Sequence, residues 1–385
     1  MHIGFDAKRY FHNNTGLGNY SRTLVNGLAR LYPQNQYTLF NPKPANNYTV
    51  PQGMPLSEAQ PQNWLYKSLP SFWRSRGIVD DLKKARVDIY HGLSHELPVG
   101  IASSGVQSVV TVHDLIFERY PKQYGAYEVY MHRKKIRYAC AHANHVIAIS
   151  KQTAADLHNL YGVPEEKISV CYQSCDPVFA RRHSEIKKEL ILEAYGLPSQ
   201  FLLYVGSLIE RKNLLGILQG MHEAGEALHL PLVVVGAGKA YRKKVNAYMD
   251  NKGLGKNVFF LADNPEVPAT FNIRRTENLS ALYQAATALV YPSYFEGFGI
   301  PVLEALWSRI PVITANTSCL PEAGGAGALY IDPASTAEMA AALVRIQDDA
   351  EMRQALVNKG WQHAQNFSLE KCCASVMEVY EQLLA

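Results

Sequence analysis

Two α/β domains, each built on a mostly parallel sheet, are what this chain of 385 residues predicts. Three observations carry that expectation. Short apolar, β-branched and aromatic runs alternate with helical patterns through the first half, an order that places helices between parallel strands. The alternation lapses over residues 174–200 and then starts again. The length suffices for two cores of ordinary size, and 47% hydrophobic residues with 26 glycines fit an α/β protein rather than a disordered one.

In the first half the strand-like runs are His2 to Asp6, Tyr37 to Phe40, Val87 to His91, Ser108 to His113, His145 to Ser150 and Ile168 to Tyr172. TGLGNYSRTLVNGL follows the first of them, with Gly16 and Gly18 in a turn that feeds a helix carrying Leu24, Leu28 and Leu31 on one face. It falls short of the full G-x-G-x-x-G fingerprint. His113 and Asp114 come directly after the strand SVVTV, and in open α/β sheets the carboxyl ends of strands face the ligand crevice. A structural histidine remains the alternative. His91 and His95 are four apart, but Gly92 and Pro98 make the stretch a loop rather than a helical metal pair.

These runs place a first domain over residues 1–173, a connection over 174–200 with a turn at Asp176-Pro177 and a short helix, and a second domain over 201–367. The second domain is expected to hold strands at Phe201 to Val205, Leu232 to Val235, Val258 to Leu261, Ala288 to Tyr291 and Pro311 to Thr314. Ser335 and Glu338 make a capping box for a helix at 336 to 347.

Two stretches of the second half point to chemistry. In YVGSLIERKNLLGIL, Arg211 and Lys212 stand where a helix should begin, because Leu214, Leu215 and Leu218 open its apolar face. Cations there oppose the helix dipole, and broken local rules mark functional sites. Just past a strand that ends in Gly206, the pair suits a diphosphate, with a solvated basic turn as the alternative. VYPSYFEGFGIPVLEALWSRIPVI, Val290 to Ile313, reads as strand, glycine loop, helix, strand. Pro301 suits the first helical position, which puts Glu296 in the loop and Glu304 in the first turn. Gly297 and Gly299 let a ligand approach the backbone, and two ionised carboxylates form an acceptor pair for a hydroxyl-rich ligand. A Glu304 that merely favours the dipole, beside a solvated Glu296, stays open as the alternative.

A net charge of +4 and a pI of about 8.6 permit anionic ligands without requiring nucleic acid, and none is expected as a partner. Six cysteines, at 140, 171, 175, 319, 372 and 373, are too sparse for a disulfide scaffold. Cys171 and Cys175 lack a second ligand pair nearby in sequence, so no metal site is expected. MHIGFDAKRY does not read as a signal peptide, and no apolar run reaches about 18 residues, so the expected compartment is the cytoplasm. WLYKSLPSFWRSRG mixes Trp64, Phe72 and Trp73 with Lys67, Arg74 and Arg76, and MHRKKIRY carries Arg133 to Arg137 on a helix. Such patterns suit peripheral contact with an anionic membrane at its inner face, and equally a solvated helix face.

YVGSLIERKN, LVVVGAG, EGFGIPVLEAL with Glu296 and Glu304 spaced as E-x7-E, PVI, and LPEAGGAGALYIDP together resemble glycosyltransferase family 4. TGLGNY, TVHDL with the following FERYP, and VIAIS extend the resemblance over nearly the whole chain. It implies retaining enzymes of the GT-B fold, in which two Rossmann-like domains face a cleft and the last helix, here about 368–384, packs back on the first domain. Carried over by motif, Arg211 and Lys212 neutralise the donor diphosphate and Glu304 accepts from the ribose hydroxyls. Glu296 and the backbone of Gly297, Phe298 and Gly299 hold the transferred sugar. His113 contacts it from the other side, and Gly16 approaches the phosphates or the acceptor.

The most similar members are bacterial mannosyltransferases and rhamnosyltransferases of surface polysaccharide and lipopolysaccharide assembly. The resemblance therefore implies GDP-mannose first and a UDP-hexose second as donor, with a glycan or lipid-linked glycan as acceptor. No cofactor is implied. No Asp-x-Asp occurs in the chain, and the paired cations can replace a metal. A GT-B epimerase or phosphorylase would reuse the same donor site. ADNPEVPATFNIRRTENLSALY is longer than the family's usual connection near the nucleobase, and YQSCDPVF lacks the usual glycine before its aspartate.

Overall fold

The computed structural model describes residues 1–45, 48–261 and 267–385. It contains two compact units, one formed by Met1–Ser174 with Phe367–Ala385, the other by Cys175–Asn366. The first holds a seven-stranded sheet in the order β3-β2-β1-β4-β5-β6-β7. Its strands are β1 (His2–Asp6), β2 (Gln36–Phe40), β3 (Leu56–Ala59), β4 (Ile89–Gly92), β5 (Gln107–Val112), β6 (His145–Ala148) and β7 (Ile168–Val170). The second holds a six-stranded sheet in the order β10-β9-β8-β11-β12-β13. Here the strands are β8 (Leu202–Val205), β9 (Leu232–Val235), β10 (Val258–Phe260), β11 (Ala288–Tyr291), β12 (Val312–Ala315) and β13 (Ala328–Ile331).

Every neighbouring pair in both sheets is parallel. Parallel strands covered on both faces must be apolar along their length, and Leu202, Leu203, Leu232, Val233, Val234, Leu289 and Val290 are all fully buried. The strand order reverses between β1 and β4 in one sheet and between β8 and β11 in the other. Such reversals open a crevice at the carboxyl ends of the two flanking strands, where open α/β sheets take their ligands.

The Gly16–Leu31 helix buries Leu24, Val25 and Leu28. Asn13 rather than Thr15 caps it, with Oδ1 accepting from the backbone N–H of Thr15 at 2.8 Å and of Gly18 at 3.0 Å. The Leu369–Leu384 helix belongs to the first unit. It is capped by Ser368, which accepts from the Lys371 N–H at 3.3 Å, and it packs so tightly that a Cβ at Gly27 would lie 2.7 Å from Cys373 Sγ. A buried chain of hydroxyls and imidazole ties this helix to the sheet. His91 Nδ1 is 2.5 Å from the Tyr380 hydroxyl, and His91 Nε2 is 2.7 Å from Thr111 Oγ1. The expected connection over 174–200 carries the Pro177–Ala180 turn and the Glu185–Tyr195 helix, and from Cys175 onward it lies within the second unit.

Several expectations change. WLYKSLPSFWRSRG is helical from Trp64 to Ser68 and again through a π-helical turn at Trp73–Gly77. Trp73 is core, its indole N–H donating to Asp81 at 2.7 Å, and Arg74 is turned inward onto Asp6 and Glu96. Neither residue offers itself to a membrane surface. The exposed apolar side chains of this region are Trp64, Leu65, Leu69 and Phe72, with Tyr127 and Tyr130 on the Ala126–His142 helix. In the basic stretch of that helix, Arg133 pairs with Glu118 and Lys135 with Glu96. Among the described residues no helix is long and apolar enough to cross a membrane.

Candidate donor site and its histidine counterpart

The loops that follow β8 and β11 meet at the strand-order reversal of the second unit. After β8 the chain passes Gly206 and makes a 3-10 turn over Glu210–Lys212. Asn213, in the left-handed region at φ 55, then caps the Leu214–Ala224 helix. Arg211 and Lys212 therefore precede the helix instead of starting it. They do not oppose its dipole from within, because Asn213 Oδ1 accepts from the Gly216 N–H at 3.2 Å. The two loops are joined where the Tyr294 N–H donates to the Arg211 carbonyl at 2.9 Å. LVVVGAG comes up beneath them so closely that a Cβ on Gly236 would sit 1.8 Å from the Gly206 carbonyl oxygen. Only glycine fits there.

Glu296 is the centre of the cluster. Its Oε1 lies 2.8 Å from Arg211 Nη1 and 3.2 Å from Lys212 Nζ, and it accepts from the Tyr291 hydroxyl at 2.9 Å and the Ser293 hydroxyl at 2.8 Å. Lys212 Nζ also donates to the Tyr291 hydroxyl oxygen at 2.6 Å, and Arg211 Nη1 donates to the Phe295 carbonyl. Burial alone would raise the Glu296 carboxyl. Lys212 and Arg211, helped by the two hydroxyls, outweigh it and hold the group down to about 2. The backbone of Glu296 is fixed as well, its N–H donating to Ser318 Oγ at 3.2 Å and its carbonyl accepting from the Cys319 thiol at 3.0 Å. Glu296 is thus neither solvated nor loose, and Arg211 and Lys212 do not form a solvated turn.

Gly297, Phe298 and Gly299 are buried beside it, and Gly299, at φ 105, caps the Ile300–Trp307 helix. Because that helix starts at Ile300, Pro301 is its second residue and Glu304 its fifth, one residue deeper than Pro301 at the first position implies. Glu304 keeps some exposed area, yet its carboxyl is enclosed by protein, and burial pushes it up to about 8 against the Tyr283 hydroxyl, which donates to it at 2.8 Å. The expected pair of ionised acceptors is therefore unequal in the free protein. At neutral pH Glu296 is ionised, whereas Glu304 carries a proton and can also donate.

In the first unit His113 follows β5 and is 5% exposed. Its Nε2 is 2.9 Å from the Leu93 carbonyl, which only accepts, so this nitrogen bears the proton. Its backbone N–H donates to His95 Nε2 at 2.9 Å, and the two rings stack with centroids 5.4 Å apart. Burial, reinforced by His95, lowers His113 to about 3. It is a neutral imidazole with a defined tautomer. Gly16 is an exposed first helical residue with open space where a Cβ would stand, while at Gly18 a Cβ would lie 1.9 Å from the Asn13 carbonyl oxygen. The tight approach in this turn belongs to Gly18. All six cysteines are free and buried, and among the described residues no three His, Cys, Asp or Glu side chains are grouped as metal ligands. Residues 262–266, within the segment whose length departs from the family pattern, lie outside the described residues.

Two parallel-sheet units of Rossmann type, the second with basic and acidic side chains gathered at its strand-order reversal, define the GT-B class. Residues 187–363 match the family model for glycosyl transferases group 1, and residues 14–178 match that for Glycosyltransferase Family 4. The chain belongs to these glycosyltransferases. It is 26% identical over 400 aligned residues to O-antigen chain mannosyltransferase B of Escherichia coli, spanning the whole of both chains. It is 29% identical over 224 residues to O-antigen chain mannosyltransferase RfbU of Salmonella typhimurium, covering 58% of this chain and 56% of the relative. Among solved structures the fold is shared with a glycosyltransferase from Rickettsia africae (TM-score 0.73, 14% identity, 100% and 98% of the two chains). It is also shared with HepE of Anabaena in complex with UDP and glucose (TM-score 0.72, 16% identity, 99% of each chain).

Proposed function

We propose that this protein is a retaining, metal-independent glycosyltransferase that moves a hexose, mannose first, from a nucleoside diphosphate sugar to a glycan or lipid-linked glycan of surface polysaccharide. The observation that carries the reading is the Arg211–Lys212–Glu296 cluster at the strand-order reversal of the second unit. The full-length similarity to an O-antigen mannosyltransferase supports the choice of sugar.

In the proposed reaction an acceptor hydroxyl forms a bond to the anomeric carbon as the carbon–oxygen bond to the diphosphate breaks. The bonding pair stays with the leaving diphosphate, and a phosphate oxygen takes the hydroxyl proton. Charge accumulates on that diphosphate, so cations aimed at it favour the transition state over the bound donor. Arg211 and Lys212 fill this role, and Glu296 holds them aligned before the donor arrives. The second carboxylate oxygen of Glu296 accepts from hydroxyls of the sugar. Glu304 binds the ribose, and His113 offers the sugar an uncharged imidazole. Gly206, Gly297, Phe298 and Gly299 contribute backbone to the donor site, and Gly16 backbone to the phosphates or the acceptor.

A UDP-hexose is the second choice of donor, favoured by the fold shared with a protein that binds UDP and glucose. Incubation of the protein with acceptor and either GDP-mannose or a UDP-hexose, with anomeric assignment of the product by NMR, tests the reading. A product of inverted configuration, or turnover of donor without any glycoside, would refute it. Peripheral contact with an anionic membrane is proposed for the narrower patch of Trp64, Leu65, Leu69 and Phe72. Binding to anionic vesicles that salt does not reverse, or that Trp64→Ala does not weaken, counts against it.

A further inference from the structure

The bonds that run from Tyr380 to His91 and from His91 to Thr111 continue further into the first unit. Thr111 Oγ1, 2.7 Å from His91 Nε2, is also 3.1 Å from the Tyr20 hydroxyl, and Tyr20 stands on the Gly16–Leu31 helix. Tyr380, His91, Thr111 and Tyr20 thus form one row, which crosses the sheet from the terminal helix to the helix that Gly16 opens. The row ends against His113, whose ring is perpendicular to that of Tyr20 with centroids 4.6 Å apart. Thr111 reaches the other neighbour of His113 as well. Its carbonyl accepts from the His95 N–H at 2.9 Å, and the His95 ring stacks on His113.

The hydrogens of the row have one arrangement that strands none of them in the core. Tyr380, His91 and Thr111 are fully buried, while Tyr20 is 6% exposed. Burial, with His113 behind it, holds His91 well below the ordinary imidazole range, so its ring carries a single proton. Among the described residues the Tyr380 hydroxyl has no acceptor besides His91 Nδ1. A proton on Nδ1 would leave the phenol hydrogen buried and unmatched, which is costly. The phenol therefore donates to Nδ1, the Nε2–H donates to Thr111 Oγ1, and the Thr111 hydroxyl donates to Tyr20, the member nearest to solvent. Without the first donor, neither the tautomer nor the orientation of His91 is fixed, and the hold on Thr111 and Tyr20 loosens with it.

We propose that Tyr380, on the terminal helix, is a positioning residue for His113, acting through His91, Thr111 and Tyr20. The proposal rests on the transferase reading for what a positioned His113 then does, which is to contact the transferred sugar.

The test pairs NMR of the full chain labelled with ¹⁵N-histidine, which needs no substrate, with a transfer assay on GDP-mannose and acceptor. Tyr380→Phe keeps the ring that stands across His91 and removes only the hydroxyl. Thr111→Val breaks the row at its middle. Val379→Ala, buried on the same helix outside the row, is the control for general loosening. The His113 Nε2–H is expected to exchange with solvent roughly tenfold faster in Tyr380→Phe and Thr111→Val than in wild type or Val379→Ala. In the assay kcat should fall roughly three- to tenfold in the two row variants, with KM for the donor unchanged. Placed in His113→Gln, Tyr380→Phe should cost nothing further. Equal exchange in wild type and both row variants, equal acceleration by Val379→Ala, or a kcat penalty that adds to that of His113→Gln would overturn the proposal. Faster exchange with kcat unchanged in every variant would leave His113 positioned by the row, and the sugar-contact reading would fail alone.

Discussion

Lys212 Nζ lies 2.6 Å from the Tyr291 hydroxyl oxygen and 3.2 Å from Glu296 Oε1, so the ammonium is held in place by a carboxylate before any ligand arrives. Arg211, 8% exposed, meets the same oxygen. Taking Glu296 away would leave two largely buried cations without their carboxylate, a loss that costs about 3 to 5 kcal/mol when a buried pair is broken. Glu296→Gln is therefore expected to lower Tm in the free protein. A nucleoside diphosphate should raise Tm more in the variant than in wild type, because its phosphates replace the missing negative charge. Equal shifts in the two proteins would mean that the cations do not face the diphosphate.

The same carboxyl sets an acid limit. Held down to about 2 from an ordinary 4.5, Glu296 contributes stability that is fully present above the unfolded value and is lost as pH falls through the folded one. The lowering corresponds to about 3 kcal/mol. Wild type should lose its advantage over Glu296→Gln as pH falls from about 4.5 toward 2. Tm profiles of the two proteins that stay parallel over that window would contradict this.

Glu304 has the opposite sign. Its carboxyl is pushed up to about 8, so the folded state is favoured below the unfolded value, and that advantage is lost as pH rises through about 8. Glu304→Gln keeps an oxygen for the Tyr283 hydroxyl and removes the cost of ionising in a buried place. It should raise Tm above about pH 8 and leave it unchanged near pH 4. Affinity for the nucleotide should fall, by about 0.5 to 1.5 kcal/mol if a hydrogen bond between the neutral carboxyl and the ribose is lost. A Glu304→Gln protein that binds nucleotide as wild type does would remove Glu304 from the ribose.

Burial beside His95 holds His113 well below the ordinary imidazole range, so it acts as a neutral ring. The pH profile of kcat/KM should show no histidine limb between about pH 5 and 8, where an unperturbed imidazole would titrate. A limb near neutral pH that disappears in His113→Gln would show that the ring ionises during turnover.

How much of this could be read from the chain follows from the range of the interactions. The apolar runs of β1, β8, β9, β11 and β12 announce buried parallel strands. β3, with the polar sequence LSEA at a sheet edge, does not. Arg211, Lys212 and Glu296 stood out because cations ahead of an apolar helix face, and a carboxylate among glycines, are local anomalies. Their geometry was not legible, because Tyr291, Ser293, Ser318 and Cys319, which hold Glu296, carry no anomaly of their own. The depth of Glu304 turned on a helix that starts one residue before Pro301, capped by Gly299. Trp73 and Arg74 share a stretch of aromatics and cations with Trp64 and Phe72, and only the positions of Asp6, Asp81 and Glu96 decide which of them turn inward.

The absence of Asp-x-Asp and the presence of two cations at the reversal of the second sheet lead to a further expectation, that turnover survives a chelator. Loss of most activity with EDTA, restored by added Mg²⁺ or Mn²⁺, would contradict it.

Steady-state kinetics of Lys212→Ala with the correct donor tests the central claim most directly. The ammonium is expected to stabilise the departing diphosphate, so kcat/KM should fall by roughly 10- to 150-fold, with kcat dropping more than KM rises. Lys212→Arg should recover only part of the loss, because a planar guanidinium does not reproduce a compact ammonium. A folded Lys212→Ala protein with wild-type kcat and KM would contradict the account.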